Sequence, residues 1–145
     1  MEQFIEKNIK IDNQQDYYLL RSVSGIGRII ALTILYEIHD IRRFKDVGNF
    51  ISYSRLVKCS HESGGKTKTN KGSSKMGNAH LKWAFSEATC LFMRGSQRAK
   101  EFVERKAAKC GKGKAMSILS AKLGRAIYYM LKCKEPFDEN RFFGS

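Results

Sequence analysis

Residues 28–38 read RIIALTILYEI. Apolar side chains occupy nearly every face of this run. A helix here must be buried on most sides, and it becomes the centre of the fold. Just before it stand Ser22-Val23-Ser24-Gly25-Ile26-Gly27. The glycines permit a tight turn with positive φ, and Ser24 is placed to cap the helix that follows. Further upstream, Phe4, Ile5, Ile9, Ile11, Tyr17, Leu19 and Leu20 give residues 1–23 an imperfect helical stripe. A Gly-apolar-Gly turn between two helices is the hairpin of helix-hairpin-helix modules, whose backbone N–H groups hold a phosphate at the next helix start. An ordinary helical hairpin has the same spacing, and spacing alone does not separate the two.

Downstream, residues 40–46 (DIRRFKD) read as a connector with one buried aromatic, Phe44. A short helix follows over residues 47–57, turning Phe50, Tyr53 and Leu56 to the core. Asn78 caps an amphipathic helix in which Leu81, Ala84, Phe85, Ala88, Leu91 and Phe92 recur at helical spacing. Trp83 lies off that stripe and is expected to meet a neighbouring element. Gly95-Ser96 breaks this helix, and residues 97–110 form a short basic one. CGKGK (residues 110–114) reads as a flexible basic turn. A second stripe runs through Ala115, Ile118, Leu119, Leu123, Ala126, Ile127, Met130 and Leu131, with Lys122, Arg125 and Lys132 on its exposed face. Pro136 ends the helical region, and the tail after it is expected to be loosely held.

Between the two halves lies the longest polar, turn-rich segment, residues 53–81: YSRLVKCSHESGGKTKTNKGSSKMGNAHL. It carries Arg55, Lys58, Lys66, Lys68, Lys71 and Lys75, with Lys82 just beyond, against Glu62 alone. A long loop without apolar periodicity, held between packed helices, is functional or disordered. Gly64-Gly65 and Thr69-Asn70 supply turn chemistry for a small hairpin within it. Ser63 precedes two glycines, so the backbone there can approach a large substrate closely. A serine hydroxyl is a weak nucleophile and needs a base or a stabilising charge. The lysines and Arg55 would stabilise charge on a phosphoryl oxygen. This is not a Ser/His/Asp triad, because His61 has no partner acid that can be placed. On composition alone the simpler reading is stronger: a polar turn that touches phosphates and does no chemistry.

Charge agrees with a polyanionic partner. The 145 residues carry a net charge of +13. Through residue 54 seven basic residues balance seven acidic ones, so the whole excess follows, as 20 basic minus 7 acidic. One-sided basicity of this kind marks nucleic acid more often than a membrane surface, and the basic segments lack paired aromatic anchors. No apolar run reaches transmembrane length. Cys59, Cys90, Cys110 and Cys133 show no CxxC spacing and imply no disulfide, consistent with a cytoplasmic protein. Cys90 reads as a small core residue. Cys59 and His61 fall short of the four ligands of a zinc site, and no metal site is assigned.

In order along residues 20–95, the Ser24-Gly25-Ile26-Gly27 turn, the Arg43-Phe44 connector, Tyr53 to Val57, Ser63-Gly64-Gly65-Lys66 and Ser74-Lys75-Met76-Gly77-Asn78 resemble the C-terminal transposase domain of the insertion-sequence one-ten family. That family includes the pilin-gene-inverting site-specific recombinases. The resemblance implies a DNA transposase or recombinase, associated with the nucleoid, whose serine attacks DNA and forms a phosphoserine link. By position that serine is Ser63, with Gly64, Gly65, Lys66, Ser74, Lys75, Gly77 and Asn78 in the surrounding motif. It also implies a RuvC-like DEDD domain holding a divalent metal such as Mg, and guidance by a bridge RNA. Ser24 stands where the family has proline.

The combined expectation is an all-α, compact helical domain with a helix-hairpin-helix-like turn and a long basic loop. Residues 1–22 would end a connecting helix, 23–135 form the transposase domain and 136–145 a loose tail. The carboxylate domain is not in this sequence, so the chain reads as a truncated or isolated C-terminal domain, with little or no activity alone. DNA would be held by Gly25, Gly27, Arg28, Arg55, Gly64, Gly65, Lys66, Lys68, Lys71, Ser74, Lys75 and Asn78. A non-catalytic nucleic-acid-binding module is the alternative, and the N-terminal stripe suggests a possible homo-oligomer.

Overall fold

The computed structural model describes residues 11–56 and 77–144, with the side chains of residues 11–13 left aside. The described residues form seven α-helices and one 3-10 turn, with no strand among them. They are α1 (Ile11–Arg21), α2 (Arg28–Ile38), the 3-10 turn Ile41–Arg43, α3 (Val47–Tyr53), α4 (Ala79–Gly95), α5 (Gln97–Cys110), α6 (Lys112–Cys133) and α7 (Glu139–Phe143). The all-α expectation holds.

The long helix α6 touches α5, α4, α3, α1 and the 3-10 turn, while α2 lies between α1 and α4. One apolar core joins all of them, with Leu20, Ile34, Phe50, Leu81, Phe85, Phe92, Leu119, Leu123 and Ile127 fully buried. Phe50 sits in its middle and contacts Phe44, Phe85 and Tyr128 at ring distances of 5.2, 6.0 and 5.7 Å. As the run RIIALTILYEI requires, α2 buries Ile30, Ala31, Leu32, Ile34, Leu35 and Ile38. One side of it still faces out, with Tyr36 67% exposed.

Local signals account for most helix boundaries. Asn78 caps α4 by accepting from the Leu81 N–H at 2.9 Å, Ser96 caps α5 from Ala99, and Asp46 caps α3 from Asn49. Ser24 does not cap α2: the N-cap is Gly27, with no side-chain bond. The reason lies in the turn. Gly25 has φ +95°, and a Cβ there would lie 2.5 Å from the Phe92 nitrogen and 2.6 Å from the Leu91 carbonyl carbon. The turn is pressed onto the backbone of α4, which sets α2 against it.

Three further expectations are corrected. CGKGK is not a flexible turn: Gly111 alone breaks the chain, at φ +88°, and α6 begins at Lys112. Cys90 is exposed rather than in the core. Ala88 and Phe92 point inward on either side of it, and a step of two residues turns a helix by about 200°. Trp83 is 48% exposed. The tail is not loose. Phe92 receives Phe137, Phe142 and Phe143 at ring distances of 5.6, 5.7 and 6.0 Å. Ser22 Oγ accepts from the Phe137 N–H at 2.8 Å, Arg98 donates to Asn140 at 2.7 Å, and Ser96 donates to Glu139. At the far end of α6, Lys134 reaches back to the buried Asp16 of α1 at 2.6 Å.

The two glycines of the first turn should therefore behave differently. Gly25→Ala meets both a positive φ and backbone atoms that cannot give way, and should cost at least about 2 kcal/mol in denaturant unfolding. Gly27 has nothing within 4 Å of a Cβ, so Gly27→Ala should cost only the poorer cap, about 0.5–1 kcal/mol.

Candidate nucleic-acid interface

Residues 53–56 from the end of α3 and 77–78 before α4 flank the polar segment, and they meet at one place. The Asn78 N–H donates to the Tyr53 carbonyl at 2.7 Å. The Asn78 side chain makes three further hydrogen bonds. Its Oδ1 caps α4, and its Nδ2 donates to Glu37 Oε2 at 3.1 Å and to the Tyr53 hydroxyl at 3.2 Å. One residue thus joins α2, α3 and α4. Lys82 adds a second tie, donating to the Arg55 carbonyl at 3.2 Å.

Backbone conformation lets the two arms of the stem come together. Gly77 has φ +108°, and a Cβ on it would lie 2.7 Å from the Tyr53 oxygen and 3.0 Å from Arg55 Cγ. Only glycine can enter there. Opposite it, Arg55 adopts φ +57°, which turns the chain out of α3, and its N–H returns to the Ser52 carbonyl at 3.1 Å. Leu56 and Ile51 pack over Gly124 of α6 and anchor the departing arm.

Arg43 supports the stem from the side. Its guanidinium donates to the carbonyls of Ile38 at 2.8 Å and Glu37 at 3.3 Å, capping the C-terminus of α2. It also lies over the rings of Phe44 and Tyr53, at 4.5 and 4.8 Å. The Asn78 amide, and then the Arg43 guanidinium, hold the Tyr53 phenol below its ordinary value. Sequence reasoning placed Tyr53 in the core, read Arg43 only as part of a connector motif and assigned nothing to Glu37. A Gly-Asn pair opening a helix was the available signal for the stem, but Glu37 lies 41 residues away from Asn78 and no local pattern links them.

The sequence-predicted residues divide three ways. Asn78 is a clamp whose amide is committed to protein partners. Gly25 is a packing glycine against α4, whereas Gly27 and Arg28 stand at the α2 N-terminus, with Gly27 exposed. Arg55 is at the stem. Ser63, Gly64, Gly65, Lys66, Lys68, Lys71, Ser74 and Lys75 lie outside the described residues, as do Cys59 and His61. Among the described residues no three His, Cys, Asp or Glu side chains gather as metal ligands, and no helix is long and apolar enough to cross a membrane.

Residues 17–104 match the family described as Transposase IS116/IS110/IS902 family. The chain belongs to this family. Membership carries a transposase-type function, with DNA as the partner. The matched span runs from α1 into α5 and includes the whole stem. No curated protein and no solved structure matches the chain.

Two outcomes follow from the stem. Asn78→Ala removes the cap and leaves the Glu37 carboxylate and Tyr53 hydroxyl without their donor, so it should cost about 2 kcal/mol in thermal or denaturant unfolding. Because the Tyr53 phenol is held below 10.0, the fold favours its phenolate. That contribution is absent while the group is protonated and grows as pH rises through the folded value. Ultraviolet titration should show an early phenol ionisation that is missing in Tyr53→Phe and moves upward in Asn78→Ala.

Proposed function

We propose that the chain is the DNA-binding and serine-nucleophile part of a transposase or site-specific recombinase, acting with a RuvC-like domain. The observation that carries this reading is the stem. The Ser63-Gly64-Gly65 segment begins and ends at one clamped point on a helical body, in a chain of this family. A nucleophile delivered to a DNA backbone needs a fixed origin, since positioning supplies a large share of catalysis.

In the proposed step Ser63 Oγ loses its proton and bonds to a backbone phosphorus. The bond from that phosphorus to a sugar oxygen breaks, and the departing oxygen takes a proton. Lys66, Lys68, Lys71 and Lys75, with Arg55, offset the charge on the phosphoryl oxygens. The Gly27 turn would receive a further phosphate on the first amides of α2, alongside Arg28. A divalent metal belongs, on this reading, to the RuvC-like domain, and a bridge RNA and a homo-oligomer are the remaining partners that family resemblance suggests.

The test is a covalent adduct. With a duplex carrying the element's end, and the RuvC-like domain supplied, the chain should give a denaturation-resistant protein–DNA species that disappears in Ser63→Ala. An adduct surviving in Ser63→Ala would remove that serine from the chemistry. Failure of any adduct to form, with tight binding retained, would favour a non-catalytic binding module. In the triple Lys66→Gln/Lys68→Gln/Lys71→Gln variant, the dependence of log affinity on log salt should weaken by about 0.9 for each phosphate no longer neutralised.

A further inference from the structure

A second concentration of positive charge lies away from the stem. Arg105, Lys106 and Lys109 of α5 and Lys122 of α6 line one cleft of about 250 Å³, floored by Phe102 and by Phe143 of α7. No acidic side chain lines it, and none of the four cations forms an ion pair among the described residues. Acids appear only in the adjoining hollow, where Glu101 and Glu104 stand beside Arg98 and Arg105.

Two of the amines are held in place by aromatic rings. Lys106 Nζ lies 5.6 Å from the centre of the Phe102 ring, and Lys122 Nζ lies 5.0 Å from that of Phe142. Such contacts fix a cation at modest cost and leave its charge outward. Helix polarity explains Lys109, which stands in the last turn of α5. It does not explain Lys122, in the middle of α6. Four like charges drawn to one cleft repel each other, and the arrangement is stabilised when an anion enters.

The position of the cleft separates it from the stem. Its floor is built on Phe92, against which Phe143 stacks. Phe92 lies fourteen residues along α4 from Asn78, about 21 Å by helix rise. Its four cations also fall beyond the residues matched to the family, which end at 104.

We propose that this cleft is a second site for nucleic-acid phosphates, binding the backbone of duplex DNA independently of the Ser63 loop. It would contact phosphates other than those taken by the Ser63 segment, further along one duplex or on another. The docked C-terminal tail builds the site, since Phe143 floors the cleft and Phe142 holds Lys122. The inference shares its class of ligand with the proposed function, but it uses neither Ser63 nor the loop lysines.

The experiment measures duplex DNA binding by fluorescence anisotropy across a salt series, on the full chain. Lys106→Gln/Lys109→Gln/Lys122→Gln should weaken binding about tenfold at 0.1 M salt for each phosphate left without its cation, and lower the salt slope by about 0.9 for each. The charge-retaining Lys→Arg triple should keep both, which separates loss of charge from loss of folding. Combining the Gln triple with the loop triple Lys66→Gln/Lys68→Gln/Lys71→Gln should add the two reductions in slope. Unchanged duplex affinity and slope in the cleft variant overturns the proposal, including where only RNA binding falls. A silent loop triple beside a damaged cleft triple would instead count against the loop.

Discussion

The hydrogen bond from the Asn78 N–H to the Tyr53 carbonyl joins the two ends that flank the segment carrying Ser63-Gly64-Gly65. Around it the Asn78 side chain makes hydrogen bonds to three helices, with both amide hydrogens donated. Removing it would leave a half-buried carboxylate and hydroxyl to find other partners, and an unmade bond at a partly buried group costs more than a made one gains. Gly77 is the geometric condition for this closure, because any side chain there would strike the Tyr53 oxygen. The stem is thus rigid for reasons independent of what the segment beyond it does.

The rest of the molecule holds that stem still. Phe50 ties α3 to α4 and α6 through ring contacts, Arg43 seals the end of α2, and Gly25 presses the first turn onto α4. At the opposite end of α4, Phe92 gathers the tail. One helix, α4, therefore connects two cationic regions, the stem at its start and the aromatic-floored cleft near its end. The charge balances through residue 54, and the excess of 13 lies after it, where both regions stand.

Much of the fold was legible in the sequence because its signals are local. The apolar run at Arg28–Ile38, the Asn78 cap and the basic Gln97–Cys110 helix each depend on neighbours within a turn or two. What escaped depends on distant partners. The tail looks loose until Phe92 is placed beneath Phe137, Phe142 and Phe143. Glu37 looks like an isolated acid until Asn78 reaches it. Cys90 was misplaced by its apolar neighbourhood, although the angular step from Ala88 already turns it outward. Of the candidate site, the order of the motifs was readable and the clamp was not, since nothing in a linear pattern says that Tyr53 and Asn78 meet.

Amide hydrogen exchange at Asn78 tests the central claim most directly. If the stem is closed as described, this amide exchanges as slowly as those of buried residues in α4, such as Phe85. Exchange at the rate of an exposed, unstructured amide would mean that the two ends do not stay joined, and the clamped origin of the loop would be contradicted.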